Sequence, residues 1–484
     1  MRENRLIFVN FRVKIPILRK FIYIYIWEIG IYFMTQIKDT SFRKKLISLI
    51  LPMTLQNFVF ALVPVSDAIM LLFLSQDSMA AVSLATQVVL VLTLFTMSIT
   101  AGGSMFAAQF WGKGDNNSIE KVFGYMFALS LPVIIVFFCC GMFMPEGVMR
   151  VFTNEPELIA NGIPYIRIAS FSYVFMTLAS VFETLLKNVG YVKECTIASV
   201  VIVFLNIILN AILIFGLLGA PRMGSAGAAL ATTISNGAGF LLCVIFILVK
   251  TKFRLKFKNI FKVDLDLRKR FSKYTLPYLL NSLLWGFGFT MITVIMGHLG
   301  ADAAAANGIA AIVKDLVSCL CFAIAGGSVI IIGNELGAGR LEQAKVYGDK
   351  LFKITVISGI ILGLVAAASA PLVLYFVNLT ETAEHYLFIM LLMCSYYILG
   401  RSINSTLISG IFSAGGDTKF GFICDTVTMW AFIVPVGYIA AFKLGLPVMV
   451  VYFILNLDEI VKIPVVIAHY KKYKWVKNII NEEI

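Results

Sequence analysis

Long apolar runs separated by short polar segments fill the chain from about residue 46 to residue 470. The runs are continuous rather than alternating, which favours helices over the short alternating strands of a membrane barrel. A helix needs about 20 mainly apolar residues to cross a bilayer. The pattern therefore predicts twelve spans, at about 46–74, 80–108, 122–143, 160–186, 194–216, 223–249, 274–297, 303–330, 351–377, 385–412, 421–441 and 446–470.

The composition supports this prediction. The chain is 60% apolar and 14% charged. Soluble domains are about 45–50% apolar and about 25% charged. A single soluble core also stops growing at about 250–300 residues, well short of this chain's length. A soluble protein is excluded, and the sequence predicts an all-α polytopic membrane protein in contact with the lipid bilayer.

The net charge of +13 is explained by membrane topology rather than by a nucleic-acid partner. When the loops are numbered alternately from a cytoplasmic start, the inner loops hold most of the lysines and arginines, including nine over 250–270. The outer loops hold only Arg150, Arg222 and Lys443. Basic residues accumulate on the cytoplasmic side of membrane proteins. The sequence therefore predicts a plasma-membrane protein with both termini in the cytoplasm, and no nucleic acid is expected as a partner.

An internal repeat divides the chain into two halves of similar length. LPMTLQN at Leu51 matches LPYLLNS at Leu276, and AGGSMFAAQFWGKGD (101–115) matches AGGSVIIIGNELGAGR (325–340) with one insertion. Each half holds six predicted spans, so both halves enter the membrane from the same side. Two parallel repeats are related by an axis along the membrane normal. The sequence predicts two six-helix bundles related by a pseudo-two-fold axis, with a cleft between them.

The repeat also predicts the domain organisation. The N-lobe covers 40–249, a basic cytoplasmic linker covers 250–270, the C-lobe covers 271–470, and 471–484 form a cytoplasmic tail. Residues 1–39 are an N-terminal extension that mixes basic and aromatic residues. Two interpretations are open for it: an interfacial amphipathic helix, or a start codon assigned too early, with the native protein beginning at Met34.

The 6+6 layout, the proline and aspartate of the first span and the paired AGGS segments resemble the MATE (multidrug and toxic compound extrusion) family. The ending LDEIVK…HYKKYKW is similar as well. The resemblance covers about 45–480 and implies an antiporter that exports organic, usually cationic, drugs in exchange for H⁺ or Na⁺. It is closest to the DNA-damage-inducible branch, because spans 274–297 and 385–412 contain no acidic residue and Trp285 stands about where another branch has its span-seven carboxylate.

Asp67 is the first candidate for ion coupling. It lies about four helical turns beyond Pro52, deep in an otherwise apolar span. An ionisable residue at that depth is a functional hypothesis by default. The resemblance implies the same role, since the family places its N-lobe coupling carboxylate on this span.

Asn206 and Asn210 lie one turn apart on span five and therefore share a face. The family pattern is usually Asn-x-x-x-Asp, in a network with the span-one aspartate and a span-six threonine; here the second position is Asn210. Thr232 fits the threonine position, and Thr233 is the alternative. With Asp67 as the single acid of this network, H⁺ is favoured over Na⁺ as the coupling ion, and no cofactor is expected.

A second group of charges lies in the C-lobe. Lys314 and Asp315 are adjacent in span eight and point in different directions. Lys314 is predicted to neutralise Asp425 of span eleven. Three charged residues, Arg401, Arg167 and Glu183, are expected near the ends of tilted helices, with their charges reaching outward.

A drug site needs an apolar cavity with a few polar groups and aromatic faces for a cation. The candidate cavity residues combine bulk or polarity with a place inside a span: Gln56, Gln87, Asn281, Trp285, Asn404 and Trp430. No catalytic residue and no metal site is expected, because HExxH, GxSxG and P-loop motifs are absent. We expect a monomeric exporter of small amphipathic cations by alternating access. The alternative is a flippase or exporter of a lipid-linked or endogenous metabolite.

Overall fold

The structure is a computed structural model that describes residues 40–251 and 264–481. The N-terminal extension and most of the linker 250–270 lie outside the described residues. By its internal contacts the chain forms two units, 1–48 and 49–484. In the first unit the described residues are the start of the first helix, and the arrangement below belongs to the second.

Eleven helices in the described residues are long and apolar enough to cross a membrane. Six precede the linker, and we call them the N-lobe helices α1 to α6: Thr40–Leu72, Gln76–Lys113, Asn116–Phe143, Pro156–Asn188, Val192–Phe215 and Ser225–Val249. Five follow it as α7 to α11 of the C-lobe: Leu265–His298, Ala301–Gly337, Leu341–Ala368, Glu381–Phe412 and Thr418–Lys443. Short helices follow α3 (Pro145–Arg150), α5 (Leu217–Gly219) and α9 (Ala370–Phe376).

The twelfth predicted span is not one continuous helix. It consists of Val448–Leu455, Asp458–Val461 and Ile463–Tyr470, which together we call α12. The breaks lie beside three buried charged residues, Asp458, Glu459 and Lys462. The predicted span 351–377 is likewise divided at Ser369. Pro371 lies in the first turn of the helix that follows, where proline is tolerated because its missing N–H would have no partner there.

Two C-lobe helices contain π-helical segments. They occupy Ser405–Phe412 of α10, and Val427–Ile433 and Ile439–Lys443 of α11. A π-helical turn inserts extra residues into a helix and is frequent at functional sites. Among the described residues the N-lobe helices have no such segments, so the irregular backbone of the two lobes is concentrated in the C-lobe.

The same helix pairs pack together in each lobe. In the N-lobe α2, α3 and α4 pack on one another, and α6 packs on α4 and α5; in the C-lobe α8, α9 and α10 pack on one another, and α12 packs on α10 and α11. Each lobe also encloses its own apolar core, as around Tyr173 in the N-lobe and around Met390 in the C-lobe. The predicted repeat is therefore present in the packing as well as in the sequence.

The lobes meet where α2 crosses α8, and the crossing is reciprocal. A Cβ atom on Gly112 would collide with the backbone carbonyl of Asn334, and one on Gly337 would collide with that of Gln109. In the aligned repeat Gly112 corresponds to Gly337 and Gln109 to Asn334. A contact in which each partner uses the same positions is what a two-fold axis produces. We call this contact the Gly112–Gly337 crossing.

The C-terminal segment 471–481 lies against this crossing. Gln109 of α2 donates from Nε2 to the Ala414 carbonyl at 2.7 Å and accepts from the Ile479 amide at 3.0 Å. Asn478 donates to the carbonyl of Leu336 on α8 at 3.0 Å. The segment thus bonds to α2 and α8 together, and its Trp475 is fully buried.

Candidate functional site

Four side chains from three N-lobe helices form one chain of hydrogen bonds. Asn210 of α5 donates from Nδ2 to Asp67 Oδ1 of α1 at 2.6 Å, and to Asn206 Oδ1 at 3.1 Å. Asn206 donates in turn to Thr232 Oγ1 of α6 at 3.1 Å. The structure therefore brings together all four residues predicted for ion coupling. Thr233 does not join them, since its hydroxyl donates to the carbonyls of Ile168 and Ala229.

This network has a defined donor direction and one unpaired acceptor. Thr232 donates to the carbonyl of Ala228 at 3.0 Å, so its hydrogen points away from Asn206. Asn206 and Asn210 are buried, and Asn210 Oδ1 has no hydrogen-bond partner among the described residues. A buried acceptor without a donor costs about 1–3 kcal/mol. The network is therefore one hydrogen-bond donor short. The acceptor without a donor belongs to Asn210, the residue that is bonded to the single carboxylate of the network, Asp67.

Gln56 belongs to a second buried N-lobe cluster and not to an open cavity, which corrects its assignment to the drug site. Its Nε2 donates to Glu183 Oε2 at 2.7 Å and to Ser199 Oγ at 2.7 Å. Lys187 pairs with the same Glu183 oxygen at 3.2 Å. Glu183 is 7% exposed, so the expectation that it reaches outward from a helix end is wrong. The (i, i+4) spacing of Glu183 and Lys187 was the available sequence signal.

The predicted pairing of Lys314 with Asp425 does not occur. Asp425 pairs through Oδ1 with Lys462 Nζ of α12 at 2.9 Å, and its Oδ2 accepts from Asn281 Nδ2 at 2.9 Å. Lys462 also contacts Glu459 Oε2 at 3.2 Å. Lys462 was not among the predicted site residues, although its (i, i+3) spacing from Glu459 indicated an ion pair.

Lys314 has an uncharged polar partner instead. It is 4% exposed and donates to Asn456 Oδ1 of α12 at 2.9 Å. Its ammonium also lies 4.7 Å from the ring centre of Tyr397 and 5.6 Å from that of Tyr452. Aromatic faces attract a desolvated cation, and this explains why Lys314 sits deep in the lobe without contacting Asp425.

Arg401 is buried among aromatic rings, so the expectation that it reaches outward is wrong as well. Its guanidinium lies 4.9 Å from the ring centre of Phe322 and 5.9 Å from that of Trp285. It pairs with Asp315 Oδ1 at 3.7 Å, and the Asp315 side chain is 62% exposed. Asp315 lies one turn from Cys319, whose carbonyl accepts a bond from Asn57 of α1 at 3.1 Å. This stretch of α8 therefore faces the N-lobe.

The remaining predicted cavity residues have different environments. Asn404 is buried and donates to the Glu459 carbonyl and to Glu459 Oε2 at 2.6 and 2.7 Å, so it does not line an open cavity. Trp430 is half-buried and donates to the carbonyl of Leu284 at 3.1 Å. Gln87 is exposed on α2, and Trp285 is half-buried and stacks on Phe289. The described residues contain no group of three His, Cys, Asp or Glu side chains that could hold a metal ion.

Similarity to known proteins agrees with this architecture. The sequence model of the MatE family matches residues 52–212 and again 277–439, and its two starting points are offset in the same way as Leu51 and Leu276 of the sequence repeat. The uncharacterized transporter YisQ of Bacillus subtilis is 23% identical over 91% of this chain and 98% of its own length. The probable multidrug resistance protein NorM of Thermotoga maritima is 26% identical over 84% of this chain and 87% of its own.

Solved structures confirm the fold. A crystal structure of MATE in complex with MaL6 superposes with a TM-score of 0.82 at 19% identity, covering 90% of this chain and 96% of the other. A MOP superfamily transporter from Pyrococcus furiosus, described with a binding pocket of reverse polarity, gives 0.81 at 19% identity over the same shares. The predicted all-α, two-bundle membrane fold is therefore confirmed, whereas the DNA-damage-inducible branch remains a prediction.

The family model covers most of the chain in two copies, one in each lobe. Members of this family are multi-pass plasma-membrane proteins that move small drugs and related compounds, need no cofactor and are driven by ion gradients. The chain belongs to the MATE family of multidrug and toxic compound extrusion transporters, and it is not an enzyme.

Proposed function

We propose that this transporter exports small amphipathic organic cations in exchange for protons, with Asp67 as the proton carrier of the N-lobe. The single observation that carries the proposal is the unpaired Asn210 Oδ1 acceptor beside Asp67. A protonated carboxyl gains an O–H donor that a carboxylate lacks. Protonation of Asp67 therefore supplies the donor that the network needs.

The same chemistry disfavours Na⁺. A hard cation such as Na⁺ requires several oxygen ligands, and binding is stronger where negative charge compensates it. The network holds a single carboxylate, and the oxygens of Asn206 and Thr232 already accept hydrogen bonds. A proton needs one acceptor only, so Asn210 in place of a second aspartate favours proton coupling.

Coupling follows from the three helices that the network joins. When Asp67 is protonated it bonds to Asn210 in both directions, which holds α1 to α5 and, through Asn206 and Thr232, to α6. When it is ionised, water or a cationic substrate in the cleft competes for it. Each form thus favours a different packing of the lobe, and proton binding shifts the population between them.

The preference for cationic substrates rests on Asp315. Its carboxylate is 62% exposed on a stretch of α8 that faces the N-lobe, with Trp285 beside its partner Arg401. Charged side chains inside membrane segments face a bundle interior or an aqueous cavity. An exposed carboxylate near an aromatic face suits an organic cation.

We also propose that the protein acts as a monomer with both termini in the cytoplasm.

The test is transport by the purified protein in proteoliposomes under separately imposed H⁺ and Na⁺ gradients, with ethidium as substrate. We expect the proton gradient alone to drive uphill export. Asp67→Asn, which mimics the neutral carboxyl, should abolish uphill export while the protein remains folded and inserted. Asp302→Asn, at the start of α8, is the matched control and should transport normally. Full proton-driven export by Asp67→Asn would remove Asp67 from the mechanism.

A further inference from the structure

The interruption of α12 lies inside the C-lobe, among buried charges. Val448–Leu455 ends at Asn456, and the next helical segment begins at Asp458. Asn456 and Asp458 are 5% and 4% exposed. Non-helical backbone at membrane depth is tolerated only where it is buried in protein or lines a cavity, and broken helices commonly form the ion or substrate sites of transporters.

A small cavity adjoins this interruption. Its lining includes Thr293 of α7, Asn307 and Lys314 of α8, and Asn456 and Asp458 of α12. The cavity volume is about 10 Å³, which is close to the room that one water molecule needs. Lys314 and Asp458, together with neutral hydrogen-bonding groups, thus border a space about the size of one water molecule.

Asp458 is the buried carboxylate of this region that lacks an ion pair. Lys462 forms ion pairs with Asp425 and Glu459, and Arg401 forms an ion pair with the exposed Asp315. Asp458 has no ion pair or hydrogen bond of its side chain among the described residues, and Lys314 bonds to Asn456 rather than to a carboxylate. Of the four carboxylates that the structure describes in this region, Asp458 is therefore the one that no cation pairs with.

The titratable groups around Asp458 come from α8, α10 and α12. They are Lys314 of α8, Tyr396, Tyr397 and Arg401 of α10, and Glu459 and Lys462 of α12 itself. Asp425 of α11 is connected to them through its ion pair with Lys462. From α7 the cavity receives only Phe289, Ile292 and Thr293, which do not titrate. Asp458 therefore faces Lys314 across the cavity and has Lys462, already shared by two acids, on its own helix.

Two of the helices that line the cavity, α7 and α12, are the repeat counterparts of α1 and α6, which carry Asp67 and Thr232 of the N-lobe network. Counted from the starts of the two family matches, at 52 and 277, Asp67 corresponds to Ile292. Thr232 lies on α6, and α12, which carries Asp458, takes the corresponding place in the packing of the C-lobe. In the C-lobe the buried carboxylate therefore lies on the counterpart of the Thr232 helix, and the counterpart of the Asp67 helix has Ile292.

We propose that the cavity between Lys314 and Asp458 is a second proton-binding site, in which Asp458 takes up one proton from one side of the membrane and releases it to the other. This inference rests on the proposed proton antiport and extends it to the C-lobe. One proton joins one carboxylate oxygen of Asp458, and Lys314 remains an ammonium bonded to Asn456. Lys314 repels a metal cation at the same place, so the ligand is H⁺ and not Na⁺.

Infrared difference spectroscopy on the reconstituted full-length protein tests the site without relying on transport. Between alkaline and acid pH, a buried carboxyl that takes up a proton gains a C=O stretching band. We expect Asp458→Asn to lose one such band and Asp67→Asn to lose another, while Asp302→Asn loses neither. In Lys314→Met the Asp458 band should appear at a higher pH than in the wild type, since the facing cation that favours the ionised carboxylate is gone. Lys314→Arg keeps the cation and should leave that pH unchanged.

A wild-type spectrum from Asp458→Asn would overturn the proposal, as would a response of the Asp458 carboxylate to Na⁺ instead of H⁺. If Asp458→Asn does not fold, Asp458→Glu is used instead. It keeps the carboxyl on a longer side chain, so the frequency of the band should shift; an unshifted frequency would also overturn the proposal. In proteoliposomes Asp458→Asn should move one proton fewer per exported ethidium. Export driven by Na⁺ alone in the wild type would contradict the proposed function. The infrared spectra test proton binding at Asp458 independently of that result.

Discussion

Asn210 is the residue at which the choice of coupling ion can be changed. Asn210→Asp places a second carboxylate within hydrogen-bonding distance of Asp67, whose Oδ1 now lies 2.6 Å from the amide nitrogen. Two close carboxylates repel each other when both are ionised, and they attract a cation. We expect export by this variant to become sensitive to Na⁺. The measurement is ethidium export with and without a Na⁺ gradient at constant pH.

Asn206→Asp is the comparison for this change, because it adds a carboxylate one position further along the same chain of hydrogen bonds. Its acid would be separated from Asp67 by Asn210, so a smaller effect of Na⁺ is expected. Equal insensitivity of both variants to Na⁺ would mean that the network does not select the coupling ion.

Lys462 is the residue whose loss should destabilise the C-lobe most directly. Its ammonium is the shared partner of Asp425 and Glu459, and its side chain is 5% exposed. Removing one member of a buried ion pair leaves an uncompensated charge and costs about 3–5 kcal/mol. We expect Lys462→Met to lower the free energy of unfolding by about that amount, measured by denaturant unfolding in detergent.

The control is Lys345→Met, which removes the partner of the exposed Glu342. Exposed pairs contribute about 0–1 kcal/mol, so this variant should unfold nearly as the wild type does. A loss of stability that is the same for both lysines would show that burial of the Lys462 cluster has no special weight.

At the scale of helices, the Gly112–Gly337 crossing sets how closely α2 and α8 approach. A methyl group at either glycine meets a backbone carbonyl of the other helix, which cannot move aside as a side chain can. We expect Gly112→Ala and Gly337→Ala to separate the helices and to reduce the population in which the lobes are closed at this end. Distances between spin labels on the two helices would measure the separation.

Gly308→Ala is the matched control, since it lies in α8 and a Cβ atom there has open space. Alanine stabilises a helix interior by about 1 kcal/mol relative to glycine, so this variant should keep the wild-type distances and transport. Because the crossing is reciprocal, the two test variants should act alike. A strong effect of one and none of the other would argue against the two-fold relation.

At the scale of the whole molecule, an ion pair outside the membrane joins the two lobes. Lys121 Nζ of α3 lies 2.9 Å from Asp264 Oδ2, and Asp264 caps α7 by accepting from the Leu267 amide at 3.1 Å. The hydrogen bond from Lys121, with that of the Leu267 amide, holds the pKa of Asp264 below its usual value. A lowered pKa in the folded state means that the carboxylate stabilises the fold above its unfolded pKa, near 4.

We therefore expect a pH dependence that Asp264→Asn removes. The variant keeps the cap but loses the charge, and both side chains of the pair are partly exposed, so the difference from wild type should be about 1 kcal/mol or less at neutral pH. The difference should begin to shrink as the pH falls below about 4, and it should vanish below the lowered pKa of Asp264, where the wild-type carboxyl is protonated in the folded protein as well. Thermal unfolding of both proteins from pH 3 to pH 7 measures it; a constant difference would exclude the ion pair as the cause.

The Asp67 network could be predicted residue by residue because each member carries a local signal. A lone acid in an apolar span and two asparagines one turn apart remain visible in the sequence, and the family resemblance supplied the threonine. The C-lobe charges could not be paired in this way. Lys314, Asp425 and Lys462 lie on different helices, and the partner of each depends on helix rotation, which no local pattern reports.

The sequence alone determined the helical membrane architecture, the repeat and the positions of nearly all spans, because apolar length and internal similarity are properties of the chain itself. It also marked which polar residues lie inside the membrane. Only the tertiary structure decided that α12 is broken at Asn456, that Gln56 and Asn404 are buried in the lobes, and that Asp458 faces Lys314. These features depend on how several helices pack around one point, and a buried charge chooses its partner from what that packing brings within reach.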